Sequence, residues 1–498
     1  MEAPHNLLYG FSVALSLQNL FACFVGVLVG TIVGVLPGIG PVGAMALLIP
    51  VTFSFQPATA IIMMTGIFYG AMYGGSTTSI LINVPGEAAS VVTCIDGYQM
   101  ARKGRAGAAL AVAAVGSFMA GTLGLIGLQF FAPPLANAAL SFGPPEYCAL
   151  GILGLLLLSC LGTGSIVKSF LMVALGVMLG TVGMEGMSGY RRYTFGRLDL
   201  AQGVDIVPVA MGLFGIAEVL FMAEEGLVET VVASVRLREL FPTVREWARA
   251  LPAMVRGGVV GFLIGLVPGP SAVISTFASY ALEKRISPRK EEFGTGAIEG
   301  VAGPESANNA ASAAAMVPLL ALGIPFSPAV AMLLGALMIH GVQPGPLLMQ
   351  QRPDIFWGVV ASMYIGNVML LILNLPMVGL FANLLRTPRH ILIVLITLFC
   401  LVGTYSVNNS VLDLVILVIM GALGYALRKL GFELAPIILG VVLGPIIETR
   451  FRQSMIFVQG DVLALLRRPI TATLLAAGVL ALVIPAILRA ARRSRPAT

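Results

Sequence analysis

The stretch GTIVGVLPGIGP, Gly30 to Pro41, opens a break where an apolar helix should run on. Two glycines stand four apart in a greasy run, which then stops on Pro-Gly. GFLIGLVPGP, Gly261 to Pro270, does the same. Proline removes a backbone donor and glycine permits sharp turns, so each stretch frees backbone groups inside an apolar segment. Two further pairs follow in the same order. ILINVPGEAASVV (Ile80 to Val92) parallels LALGIPFSPAVAM (Leu320 to Met332), and IDGYQ (Ile95 to Gln99) parallels IHGVQ (Ile339 to Gln343). The offsets are 231, 240 and 244, close to half of the 498 residues, and the chain reads as a duplication.

Composition sets the solvent. Hydrophobic residues make up 58% and charged residues 10%, against about 25% charged in soluble domains. Runs such as Tyr147 to Ser159, Leu414 to Leu427 and Thr471 to Leu488 approach the roughly 20 apolar residues that cross a bilayer. The expected fold is an all-α polytopic membrane protein of about 11–12 spans. The 58 glycines fit close helix packing and repeated backbone breaks. The net charge of +6 lies in short clusters between apolar runs, which points to loops beside anionic lipid and away from nucleic acid. The five cysteines have no metal or disulfide spacing and read as small buried apolar residues. The start MEAPHNLLYG lacks the basic region of a cleavable signal, so the first apolar segment is expected to persist.

Charge also orients the halves. ARKGR (Ala101 to Arg105) follows IDGYQ in the first half, whereas EKRISPRK (Glu283 to Lys290) follows the Pro-Gly break in the second. If basic loops face the cytoplasm, equivalent loops lie on opposite sides, which is an inverted-topology repeat with broken, re-entrant helices. RAARRSR (Arg489 to Arg495) is then cytoplasmic. The boundaries are a first half over 1–200, a connecting region over 201–255, a second half over 256–447, and a C-terminal loop and last span over 448–498. Within the connection, the polar stretch from Glu224 to Arg249 is expected to form surface loops and an amphipathic helix.

The polar segments carry the chemistry: GGSTTSILINVPG (Gly74 to Gly86) and GPESANNAASAAAMVPLLALGIP (Gly303 to Pro325). Broken backbone in a membrane is tolerated where it lines a polar cavity or binds something. Amides at a helix N-terminus hold carboxylates. Gly38, Gly40, Gly269 and Ser271, with the hydroxyls of Ser76, Thr77, Thr78 and Ser79, are the expected substrate-binding donors. Asn83, Asn308 and Asn309, with Glu305 and Ser306, are the expected ion-binding or coupling group, suited to a sodium ion or, at Glu305, a proton. The bland readings stand beside these. Gly30 with Gly34 alone is a packing seam, and lone hydroxyls bond their own helix. Lys168 is expected to snorkel, Glu185 and Glu218 to sit at span ends, His340 to be a satisfied helix-end residue, and Asn408, Asn409 and Asp413 to cap a helix.

Enzyme chemistry finds no support. The three histidines are far apart, no HExxH, Gly-x-Ser-x-Gly or Walker lysine motif is present, and Ser306 has no activating partner in sequence. A channel or exchanger of the same fold is the alternative to an ion-coupled transporter.

Several segments together resemble a known family: GVLPGIGPVGAMALLIP, YGGSTTSILINVPGEAASVVTCIDGYQMARKGRAG, GTVGMEGMSGYRRYTFG, GLFGIAEVL, EGVAGPESANNAA, LLGALMIHGVQPGPLL and APIILGVVLGPIIE. They are similar to the large membrane subunit of bacterial tripartite tricarboxylate transporters, the TctA family, from about Gly30 to Glu448. The resemblance implies secondary active import of a small di- or tricarboxylate across the bacterial inner membrane, driven by a sodium or proton gradient. It also implies two partners, a small membrane subunit and a periplasmic substrate-binding protein. The family's paired signature segments fall on Gly74 to Gly86 and Gly303 to Pro325. One departure is Phe326, where the family commonly carries glycine after Gly-Ile-Pro; its counterpart Gly86 is retained.

Overall fold

A computed structural model describes residues 3–36, 39–161, 165–225, 241–384 and 387–493. Pro37 and Gly38 of the first break, residues 226–240 of the expected connecting helix, and the end of the basic tail lie outside them. The first half contains α1 (Ala3–Ala14), α2 (Leu17–Val35), α3 (Gly40–Leu48), α4 (Pro57–Ile82), α5 (Val91–Arg102), α6 (Ala106–Ala139), α7 (Pro144–Leu161) and α8 (Ile166–Gly180). A short ribbon pairs Gly183–Met184 with Arg191–Arg192. Then come α9 (Ile206–Ala210), a wider turn over Met211–Ile216, and α10 (Ala217–Glu225). The second half has α11 (Val244–Gly265), α12 (Ser271–Ile286), α13 (Glu299–Ala314), α14 (Met316–Leu322), α15 (Pro328–Ile339), α16 (Leu348–Gln351), α17 (Pro353–Asn374), α18 (Val378–Leu384), α19 (Arg389–Asn408) and α20 (Val411–Lys429). α21 (Ala435–Phe457), α22 (Val462–Leu466) and α23 (Pro469–Arg493) complete the chain. Among the described residues eight helices are long and apolar enough to cross a bilayer, so the protein is an all-α polytopic membrane protein.

Burial separates core from periphery. Of the apolar stretch in Pro57–Ile82, 94% is inside the protein, against 22% for His390–Asn408 and 28% for Val411–Lys429, whose apolar faces are left for lipid. α4 and α13 are the axis of the core, and glycines explain how closely they are held. A side chain on Gly26, Gly30 or Gly34 of α2 would collide with the carbonyl oxygens of Met63, Ile67 and Ala71 of α4. Gly257, Gly261 and Gly265 of α11 press in the same way on the carbonyls of Gly303, Ala307 and Ala311 of α13. The contacts ascend together, so α2 runs parallel to α4 and α11 to α13, and the intervening segments bring the chain back. Small residues four apart allow this backbone approach.

Both later breaks are built alike. α4 stops at Asn83 and α14 at Gly323, each in the left-handed conformation that ends a helix (φ 59° and 72°). Four residues on, Glu87 and Ser327 cap the next turn, their side chains accepting the amides of Ala89 and Val330. The chain after Asn83 doubles back until Gly86 touches the Gly34 carbonyl and the backbone of Gly75. α4 and α13, matched in sequence, nevertheless pass each other in opposite directions. Ser76 meets Glu305, while Ile80 and Val301 both border Gly97.

The basic loops share one face. Lys103 Nζ donates to the Thr295 carbonyl (2.6 Å), Arg105 pairs with Glu246, and Arg249 binds Glu292 (2.5 Å) and Glu299 (2.7 Å). α11 starts on this face with a capping box between Thr243 and Glu246. α6 leaves it and, at 34 residues or about 50 Å, ends on the far side.

Candidate functional site

α13 is buried along its whole length. Its small residues admit α6, α11 and α12 on different sides, which places the polar side chains of PESANN against protein and not lipid. Glu305 is fully buried and accepts hydrogen bonds from Ser76 Oγ of α4 (2.5 Å) and Thr93 Oγ1 of α5. One turn further, Asn308 Nδ2 donates to Glu87 Oε1 (2.9 Å), while Glu87 Oε2 accepts the Ala89 amide (2.7 Å). Asn308 Oδ1 and Ser306 Oγ are buried without a partner. The two polar segments meet in one cluster, drawn from α4, the break, α5 and α13.

Its electrostatics are one-sided. Among the described residues no Lys or Arg bonds or pairs with Glu87 or Glu305. An isolated buried carboxylate is costly, and the environment favours its neutralisation by a proton or a cation. The unpaired Asn308 oxygen adds a neutral acceptor beside the two carboxylates.

The expected residues divide. Glu305, Asn308 and Ser76 come together. Asn309 is near but turned aside, donating to Ser117 Oγ (2.7 Å) and to the Glu305 carbonyl (3.1 Å). It borders a cavity of about 20 Å³ shared with Tyr69, Tyr73, Met363 and Asn367, enough for one water. Asn83 is exposed at the end of α4, where its left-handed backbone explains the residue.

Half of the eight expected substrate donors are otherwise employed, Ser76 at Glu305 and three more elsewhere. Thr78 Oγ1 donates to the Val35 carbonyl, the last of α2 before the Pro-Gly break (2.7 Å). Ser79 Oγ lies on the Gly75 carbonyl (3.0 Å) and on Ser90 Oγ (2.9 Å). The Gly269 amide donates to the Phe326 carbonyl (3.0 Å), joining the two breaks of the second half. The hydroxyls of Thr77 and Ser271 have no side-chain bond among the described residues. Gly40 opens α3 at φ +60° with room around it. Gly38 lies outside the described residues.

Three further residues belong here: Glu87, Thr93 and Asp96. Glu87 lies in the repeated Pro-Gly segment and Asp96 in IDGYQ, so the motifs carried the signal without a role. Asp96 is fully buried, and its Oδ1 gathers the amides of Gly294 (2.8 Å), Gly296 (2.7 Å) and Ala297 (2.9 Å). Its Oδ2 accepts the Tyr280 hydroxyl (2.8 Å). The bland readings of the remaining polar residues fit. His340 caps α15 and bonds Thr52 (2.9 Å), Glu218 pairs with Arg428, and Lys168 caps the α20 end at the Leu430 carbonyl (2.5 Å). Asn409 ends α19 in the left-handed conformation, with Asn408 on Asp413 (3.0 Å). Glu185 holds its own loop through Ser188 and the Met187 amide, which lowers its carboxyl to about 2.

Comparison with known proteins meets this geometry. The chain is 48% identical over 495 residues, 99% of its length and 98% of the other's, to an uncharacterized 52.8 kDa protein in the TAR-I ttuC' 3' region of Agrobacterium vitis. It is 46% identical over 235 residues, 47% of its length and 97% of the other's, to an uncharacterized protein in the TAR-II ttuC' 3' region of the same organism. No solved structure matches it. The family model described as the tripartite tricarboxylate transporter TctA family matches residues 20–439, a span that takes in both glycine ladders, both breaks and the Glu305 cluster. The chain belongs to the TctA family of tripartite tricarboxylate transporters.

Proposed function

We propose that the protein is the permease subunit of a tripartite uptake system of the bacterial inner membrane. It imports a small di- or tricarboxylate by secondary active transport, driven by a sodium or proton gradient, and is not an enzyme. A periplasmic binding protein delivers the substrate and a small membrane subunit completes the assembly. The observation that carries the reading is the cluster of Glu305, Glu87 and Asn308. A fully buried carboxylate, Glu305, and a partly buried one, Glu87, neither with a basic partner among the described residues, form with an unpaired amide oxygen an acceptor for a coupling proton or sodium ion at the junction of the two halves. Substrate carboxylates meet the donors that the protein leaves unused, Thr77, Ser271 and the backbone at Gly40.

The halves are proposed to be inverted repeats over 1–200 and 256–447, with 201–255 connecting them and 448–498 adding the last span. Supporting this are the paired glycine ladders, the opposite passage of α4 and α13, and the shared face of the Arg102 and Lys284 loops. Cysteines placed at Lys103 and Lys284 are both labelled only from the cytoplasmic side; opposite accessibility refutes the inversion.

For coupling, Glu305→Gln keeps the shape of the side chain and removes its charge. The variant is expected to reach the membrane at the wild-type level yet no longer accumulate labelled citrate or succinate against an imposed gradient in vesicles supplied with the cognate binding protein. Wild-type accumulation would sink the role of Glu305.

A further inference from the structure

On the face where α6 ends lies a cavity of about 700 Å³, within the size range of small-molecule sites. Its wall includes Leu322, Gly323 and Ile324, the second break itself, together with the loop from Gly341 to Leu348. Arg450 of α21 and Tyr147 of α7 reach into it.

Arg450 is unusual for its setting. Among arginines whose side chains are described, Arg105, Arg192, Arg249, Arg256, Arg289, Arg352, Arg428, Arg452 and Arg468 all pair with carboxylates. The others without such a partner are exposed, but Arg450 is half-buried and finds only Gln453 Oε1 (3.1 Å). Its guanidinium lies 5.3 Å from the centre of the Tyr147 ring, and the Tyr147 hydroxyl is buried with no partner. A cation with spare donors in the wall of an open cavity matches an oxyanion; the Tyr147 hydroxyl behind it is closed off from solvent, so its unused proton reaches an anion only once the side chain shifts.

We propose that this cavity is an outer vestibule in which Arg450 and Tyr147 receive one carboxylate of the incoming substrate before it moves past the second break toward the Glu305 cluster. The inference rests on the carboxylate-transport reading. It assigns the far face, opposite the Arg102 and Lys284 loops, to the side on which the binding protein unloads. Nearby Arg192, Arg452 and Arg468 are held by Glu448, Glu185 and Glu146, which leaves Arg450 as the uncommitted charge at the mouth.

The test uses the full chain in two formats. In vesicles with the cognate binding protein, Arg450→Gln is expected to raise the half-saturation concentration for citrate or succinate uptake about 10-fold with the maximal rate retained, and Tyr147→Phe about 3-fold. In nanodiscs of neutral phosphatidylcholine, calorimetric binding of citrate weakens in the same order, and Arg105→Ala, which removes a cation on the opposite face, leaves that binding intact. Wild-type half-saturation and wild-type citrate binding in both variants overturn the proposal. If Arg450→Gln does not insert, Tyr147→Phe decides alone, since it removes only a hydroxyl. Loss of citrate binding by the wild-type chain in phosphatidylglycerol discs also overturns it, because the site then holds a lipid headgroup. A wild-type chain that binds citrate through Arg450 yet transports no carboxylate separates the two readings: the vestibule stands and the transport function falls.

Discussion

The two halves share a skeleton and differ in what they hang on it. The ladder Gly26, Gly30, Gly34 against α4 recurs as Gly257, Gly261, Gly265 against α13, and Asn83 with Glu87 recurs as Gly323 with Ser327. Yet with α4 laid over α13 by the repeat, Glu305 falls on Thr65, Asn308 on Phe68 and Ser76 on Met316. Thr65 merely returns its hydroxyl to the Ile61 carbonyl (2.7 Å), and Phe68 is core. Glycine-mediated backbone contact constrains the halves equally, whereas side chains away from the ladder are free to diverge. A symmetric frame can thereby hold one asymmetric site.

The sharpest way to break this comparison is to truncate matched positions. Phe68→Ala is expected to cost about 3–5 kcal/mol of stability, measured as a lower melting temperature in detergent, because it empties packed core. Asn308→Ala loses a hydrogen bond worth about 1 kcal/mol and melts near the wild type, but gradient-driven uptake disappears. If Asn308→Ala transports normally, the asymmetry is not functional.

The glycine ladders should respond alike. Gly30→Ala and Gly261→Ala each push a methyl onto a backbone carbonyl that cannot rotate away, costing about 1–3 kcal/mol. Equal falls in melting temperature sharpen the equivalence of the halves, and a large inequality would dissolve it. Gly379→Ala, with open space around it, serves as the control and is expected to change nothing. The smallest effect belongs to the rim. Arg105→Ala breaks the partly exposed pair with Glu246, leaves the Thr243–Glu246 capping box in place, and is expected to cost at most about 1 kcal/mol, further reduced by salt.

Much of the fold was legible because its signals are local. Pro-Gly breaks, apolar runs and basic clusters each declare themselves within a dozen residues, and their repetition is the ground for the proposed duplication. The site was legible only in part. The pairings Ser76 with Glu305, Thr93 with Glu305 and Glu87 with Asn308 join the two halves, and no local pattern encodes the register at which α4 passes α13. Thr78, Ser79 and Gly269 looked available because their acceptors are backbone carbonyls elsewhere in the fold, which carry no residue signature. Phe326 shows the same limit. Gly86 is forced by contact with Gly34 and Gly75, whereas the second break has room for a buried ring and uses only the Phe326 carbonyl.

The carboxylate of Asp96 has one more consequence. It sits on a helix of the first half and grips three amides of the segment that launches α13 in the second. Pulling α13 therefore drags α5, and with it the turn that carries Glu87. The hydrogen bonds of Asp96 and Glu87 thus cross from one half to the other, so α5, the turn that carries Glu87 and α13 are tied as one piece although they come from different halves of the sequence.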